Sequence, residues 1–135
     1  MDMKLELVII PVSDVDRAKA FYEQVGFNCD VDHSAGDSFR VVQCTPPGSS
    51  CSVSFGIGMP TPQAPVIGLH LVVKDAVAAR AELVERGIDV GPVWHMGPEG
   101  QTDGPHPERE DYGSFVQFED PDGNLWLLQE ISSRP

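Results

Sequence analysis

The stretch Ile67-Gly68-Leu69-His70-Leu71-Val72-Val73, followed by Lys74 and Asp75, decides how the chain is read, because it restarts a pattern already used at the beginning. Val73, Asp75, Ala79, Gly87 and Ile88 repeat, 61 positions later, the residue types at Val12, Asp14, Ala18, Gly26 and Phe27. Two copies of one strand-then-helix unit are therefore expected. His70 is the one histidine inside an expected strand core, and its counterpart in the first copy is Ile9. That asymmetry is the first chemical clue.

Working back from this stretch, Lys4 to Val12 reads as a strand with apolar residues on both faces. Ser13, with Asp16 three residues on, resembles a capping box and opens a helix with Val15, Ala18, Phe21, Tyr22 and Val25 on one side. Gly26 ends it. Cys29 to His33, a turn at Ala35-Gly36-Asp37 and the alternating run Phe39 to Cys44 form a hairpin signal, and Cys51 to Ile57 adds a strand. This is a βαβββ module over about residues 4–57. A connector at 58–66 with Pro60, Pro62 and Pro65 follows.

Working forward, Asp75 caps a helix through Arg86, with Ala76, Ala79, Leu83 and Val84 facing inward and Gly87 at its stop. Asp89 to His95, Ser114 to Glu119 and Leu125 to Ile131 read as strands, so a second module spans about 67–131. The turn Asp120-Pro121-Asp122-Gly123-Asn124 has its chemistry in order: Pro presets φ, Asp bonds locally and Gly takes positive φ. Met96 to Gly113 lacks apolar periodicity and reads as a long irregular loop, of the kind that often covers a binding site. Its candidate lid residues are His106, Arg109 and Tyr112.

At 135 residues, 41% apolar and 22% charged, the chain is one ordinary globular domain, 1–135. Its apolar runs fall far short of the ~20 residues that cross a bilayer, and no leader is visible, so a cytoplasmic address is expected. Cys29, Cys44 and Cys51 lack metal-type spacing and read as buried free thiols. The net charge of −12 repels phosphate backbones and anionic membrane surfaces, whereas a neutral or cationic small molecule meets a favourable field.

The internal repeat, the strand order and the Asp120–Asn124 turn together resemble the vicinal oxygen chelate superfamily, which includes glyoxalase I, extradiol dioxygenases and the fosfomycin and bleomycin resistance proteins. The resemblance runs from about Leu5 to Ile131. It implies an α+β fold of two tandem βαβββ modules forming an open cup-shaped sheet with helices outside, a ligand within, and a homodimer. Its metal-binding members place four ligands in the first and last strands of each module. Carried over, those places fall at Leu7, Ser54, Gly68 and Leu127. None is a usual divalent-metal ligand, so no metal or other cofactor is expected, and ordinary glyoxalase I or extradiol dioxygenase activity is disfavoured.

Alternation along the strands puts His70 on a face with Gly68 and Val72, opposite the triplet Leu69, Leu71 and Val73 that suits a helix. By the same parity Leu7, Ile9, Ser52, Ser54, Leu127 and Gln129 line the cavity. Trp94 and His95 flank the long loop at the cup mouth, where one of them, Trp94 first, is expected to stack on a ligand. Trp126 and Glu130 fall on the other face, as packing and rim respectively. The expected function is capture of a small organic molecule in an apolar cup, as the bleomycin-resistance branch does. The alternative is a lyase, isomerase or dioxygenase-type enzyme using His70 as acid or base, or a non-standard metal.

Overall fold

Asp14 and Asp75 start the helices α1 (Val15–Val25) and α2 (Ala76–Glu85) for the same reason. Each holds an extended backbone and accepts, on its side chain, the otherwise unpartnered N–H three residues on, from Arg17 and Ala78. The cap of α1 is thus Asp14, not Ser13. The Ser13 N–H and hydroxyl instead donate to Asp122 Oδ1 at 3.1 and 2.6 Å.

The computed structural model describes all 135 residues. Its strands are β1 (Leu7–Ile9), β2 (Asn28–Ser34), β3 (Arg40–Thr45), β4 (Ser52–Ile57), β5 (Ile67–Val73), β6 (Trp94–Gly97), β7 (Gly100–Asp103), β8 (Phe115–Glu119) and β9 (Leu125–Glu130). They form two open mixed sheets, an α+β architecture with one helix following the first strand of each. One compact unit is Met1–Val66 with Asp120–Asn124, and the other is Ile67–Glu119 with Leu125–Pro135.

In the first unit the sheet order is β1-β4-β3-β2, with β1 parallel to β4 and the other pairs antiparallel. The alternation of β3 and β4 sends Val42, Cys44, Val53 and Phe55 to one face, all buried. α1 covers that face with Ala18 and Tyr22, both fully buried, the Tyr22 ring 5.9 Å from that of Phe55. Burying a side chain of this size stabilises by ~1.5–3 kcal/mol. The turn Asp120–Asn124 belongs to this unit. Tyr22 donates its hydroxyl proton to Asp120 Oδ2 at 2.6 Å, so the buried phenol keeps a partner.

In the second unit the order is β5-β9-β8-β6-β7, again with the first pair parallel. Leu69, Val116, Phe118, Trp126 and Leu128 are buried on one face, which α2 covers with Ala76 and Leu83. Val84, expected inward, is 49% exposed, because at this helix's angle Leu83 takes the inward place. Two expectations for this half change. Asp89 to His95 is not one strand: Val90 makes an isolated bridge to Phe118 and the ladder starts at Trp94. The stretch expected to be irregular from Met96 begins with a hairpin instead, Gly97 pairing Gly100, whose glycine-rich turn masks it because short polar strands carry little apolar alternation.

Cys29 and Cys44 form a disulfide, against the expectation of free thiols, and Cys51 alone is free. The cause is register: Asn28 pairs Thr45, the ladder shifts before Val31 pairs Gln43, and the two cysteines come to lie side by side with Cα atoms 3.9 Å apart. Reduction is expected to lower stability by about 3 kcal/mol, the loop-closure value for a separation near the observed 15 residues, read as a lower urea midpoint. Thiol titration of the unreduced, unfolded chain should find one reactive cysteine; three would refute the pairing.

Candidate functional site

The register of the two sheets decides which side chains share a surface. In the second unit His70 lies opposite Leu127, and Val72 opposite Gln129, which in turn pairs Phe115, itself paired with Trp94. These six side chains therefore share the helix-free face of the sheet, and β9 alternates half-buried and buried residues along its length. His70 is exposed on that face and Leu69 beside it is 8% exposed on the other. His70, Leu127 and Gln129 are thus brought onto one surface, as their parity predicts, and Trp94 joins them through Phe115. Glu130 does not lie at a rim: it is buried, 2% exposed, on the helix-covered face with Trp126.

On the equivalent face of the first unit, Leu7 pairs Ser52 and Ile9 pairs Ser54, which pairs Gln43. Both serines are buried and neither hydroxyl is spare. Ser54 donates to the Val42 carbonyl at 3.1 Å, and Ser52 shares a 2.7 Å hydrogen bond with Thr45. Ser54, whose proton is committed to a carbonyl, has no base to take it, and Ser52 meets only another hydroxyl, so neither is placed as a nucleophile.

The chemistry available on the second face is specific. His70 Nδ1 lies 2.8 Å from the Gly68 carbonyl oxygen. That oxygen only accepts, so in the neutral ring Nδ1 is the nitrogen that carries the proton and Nε2 is the acceptor. Gln129 Nε2 donates to the Tyr112 carbonyl at 3.1 Å, which leaves its oxygen as an acceptor. The Trp94 ring stacks on Phe115 with centroids 4.5 Å apart, and its indole N–H is buried without a hydrogen-bond partner. Phe115 is the member of this group that sequence parity did not single out; its pairing with Gln129 and Trp94 is the signal that finds it.

Gly68 occupies a bulge: the register advances two residues from Ile67 to Leu69 while the partner advances one, from Leu125 to Trp126. Its φ is +109°, a region that side chains avoid, although nothing lies within 4 Å of where a Cβ would be. The four places that the family resemblance assigns to metal ligands hold two leucines, this glycine and the committed hydroxyl of Ser54. That donor set does not fit a divalent ion, and no three His, Cys, Asp or Glu side chains elsewhere converge to hold one.

The segment carrying His106, Arg109 and Tyr112 is tied to β9 and α2. Arg109 donates from Nε and Nη2 to both oxygens of Glu130, at 3.0 and 2.5 Å, and from Nη2 to Asp75 at 2.9 Å. Glu130 also accepts from the Ala76 N–H at 2.8 Å. Tyr112 N–H donates to the Glu130 carbonyl, His106 N–H to the Ser114 hydroxyl, and Ser132 and Ser133 donate to Asp111. Arg109 and Tyr112 both adopt positive φ, 53° and 71°, a strain that these bonds offset. His95 lies on the opposite face of β6 from Trp94, its Nδ1 2.8 Å from the Gly104 carbonyl, its ring 6.3 Å from that of His106.

With this geometry in hand, comparison with known proteins gives the class. Residues 4–128 match the model of the Glyoxalase/Bleomycin resistance protein/Dioxygenase superfamily, and the chain belongs to that family. Among solved structures it is similar to TnmS3, an antibiotic binding protein from Streptomyces sp. CB03234, with 33% identity, 97% of this chain and 98% of that one covered, and a TM-score of 0.71. A glyoxalase/bleomycin resistance protein from the same organism is also 33% identical, covering 94% and 100% of the two chains at a TM-score of 0.68. The uncharacterized protein YetH of Bacillus subtilis (strain 168) is 29% identical over 132 residues, 96% of this chain and 100% of that protein. No helix is long and apolar enough to cross a membrane.

The Arg109 carboxylate clamp makes a prediction. The guanidinium, followed in the opposite sense by burial, sets the balance that holds the Glu130 carboxyl below its ordinary range. A folded value below the unfolded one means that this stabilisation is present above the ordinary glutamate range and is lost as pH falls through the lowered value. Arg109→Ala strands a charge that is 2% exposed, and with the arginine itself 41% exposed the loss is roughly 2 kcal/mol at neutral pH rather than the larger cost of a fully buried pair. Urea unfolding at pH 7 and in acid checks it: the gap between wild type and Arg109→Ala should narrow in acid.

Proposed function

We propose that this protein captures a small organic molecule, neutral or cationic, in an apolar cup, and does so without the metal used by other branches of its family. The observation that carries the reading is the helix-free face of the second sheet. Stacked Trp94 and Phe115 offer a flat apolar wall, with Leu127 and Val72 beside them and a few aimed polar groups, the mixture that small-molecule sites use. The description of TnmS3 as an antibiotic binding protein, at 33% identity over nearly the whole chain, supports the same class of ligand. The net charge of −12 favours cations over anions.

Thermal-shift measurements with a panel of planar antibiotics, with and without added divalent metal, test this. A stabilising ligand whose effect is independent of metal is expected, and Trp94→Ala should weaken it by at least about tenfold, the usual loss at an aromatic anchor. An unchanged melting temperature across a broad panel would defeat the reading.

A second reading rests on the His70 tautomer fixed by Gly68. An Nε2 lone pair on a ligand face is what a general base of a lyase, isomerase or dioxygenase-type reaction needs. Turnover separates the two: an enzyme turns a bound compound over and His70→Ala abolishes that with binding retained, whereas under capture neither wild type nor variant converts it. Family analogy favours a homodimer, which sedimentation of the purified chain would measure.

A further inference from the structure

The segment that carries Arg109 and Tyr112 is organised by the ring of His106. Its Nδ1 accepts from the Glu108 N–H at 3.1 Å and from the Glu110 N–H at 3.4 Å. Both donors are backbone amides, so Nδ1 carries no proton and the neutral ring keeps its hydrogen on Nε2, 3.6 Å from a Glu110 carboxylate oxygen. The ring lies against Gly113, where a Cβ would sit 3.0 Å from its Cδ2. The Gly113 N–H donates to the Glu110 carbonyl at 3.1 Å. That N–H and the Tyr112 carbonyl belong to one planar peptide unit, so the bond aims the carbonyl. The Tyr112 carbonyl in turn accepts from Gln129 Nε2, on the ligand face, at 3.1 Å. A path of contacts therefore runs from one ring nitrogen, through Glu110 and the Tyr112–Gly113 peptide, to Gln129.

A proton on Nδ1 turns the acceptor into a donor and sets N–H against N–H at both bonds. The groups around the ring do not replace what is lost. Glu110 stays beside Nε2 in either state, and Ser114 meets only the His106 N–H. His95 of β6, its ring 6.3 Å away, donates from Nδ1 to the Gly104 carbonyl and keeps that bond charged or neutral. Glu108 contributes its backbone N–H, and Arg109 is occupied by Glu130 and Asp75. Three carboxyls nearby sit below their ordinary range, Asp75 through the Ala78 N–H, Asp111 through the Ser133 hydroxyl and Glu130 through the Arg109 guanidinium. A lowered carboxyl loses its ties only as pH falls through its folded value, so these persist while histidines charge, at pH ~5–8. We propose that His106 is a proton-operated latch: neutral, it holds the Tyr112–Gly113 peptide in the orientation that fixes Gln129, and charged, it frees that peptide while the Arg109 clamp stays closed. Capture on the sheet face then responds to mild acid, a consequence that rests on the reading proposed above.

The test uses the full chain without ligand, so a failed ligand panel bears on capture alone. Nitrogen-proton correlation spectra between about pH 8 and about pH 5 follow two signals across the histidine range. Water exchange of the Glu108 and Glu110 amides, corrected for its intrinsic pH dependence, reads the latch, and the Gln129 side-chain amide reads its effect. Protection of both backbone amides is expected to fall roughly threefold to tenfold in acid, the worth of one net hydrogen bond, with the Gln129 signal moving over the same range. His70, diagonal to Gln129 across the β5–β9 ladder, charges in this range too, so two variants isolate the latch. His106→Asn offers an acceptor oxygen that does not titrate, and should keep both amides protected throughout and reduce the Gln129 shift. His106→Phe fills the place over Gly113 without an acceptor, and should leave both amides unprotected and the Gln129 signal displaced already at about pH 8. Wild-type protection that does not change with pH, the wild-type pH profile retained in His106→Asn, or a Gln129 signal that His106→Phe leaves in place would each overturn the proposal.

Discussion

The first unit depends on the complete hydrogen bonding of Asn124. This side chain is fully buried, donates from Nδ2 to the Pro11 carbonyl at 2.9 Å and to Asp120 Oδ2 at 2.8 Å, and accepts from the Val66 N–H at 2.9 Å. Its own N–H donates to Asp120 Oδ1, and its carbonyl accepts from the Asp120 N–H. One amide thus ties the end of β1, the end of the connector and its own turn. An aspartate in its place would set acceptor against acceptor at two of these bonds. Because Asp120 also accepts from Tyr22, the same knot orients the aromatic residue around which α1 packs. The end of the connector at Val66 is therefore held to the first unit's turn by a polar bond.

In each unit the helix takes one face of the sheet and leaves the other with mixed chemistry. The covered faces are close to uniformly apolar, with Glu130 as the exception, and that exception is satisfied by Arg109 and a helix N–H. Such a neutralised charge contributes less to stability than to placement, since it fixes the 104–113 segment against β9 and, through the Tyr112 carbonyl, orients Gln129. Packing on one side of the sheet in this way determines which polar atoms are offered on the other.

Much of this was legible in the sequence. The spacing of Val12, Asp14 and Ala18 against Val73, Asp75 and Ala79 reveals the repeat because each strand must deliver a capping acid and a small residue to start and seat its helix. Alternation correctly places His70, Leu127 and Gln129 on one face. The rest depends on register. The Cys29–Cys44 pairing follows from a shift within the β2–β3 ladder, the β6–β7 hairpin from backbone pairing of short polar strands, and the burial of Glu130 from an arginine 21 residues away in sequence. None of these leaves a periodic trace. Phe115 was passed over because an aromatic residue in a strand is ordinary until its neighbours across the ladder are known.

The bulge at Gly68 limits what substitution can do on this surface. The backbone there holds a left-handed glycine, and the His70 ring two residues on gives one nitrogen to the Gly68 carbonyl. A single codon change at Gly68 would put a side chain on a backbone that disfavours it, although the space beside it is open. Variation at this point of the strand is held back by conformation rather than by room, so new side chains on this surface are more readily gained at its regular positions than at the bulge.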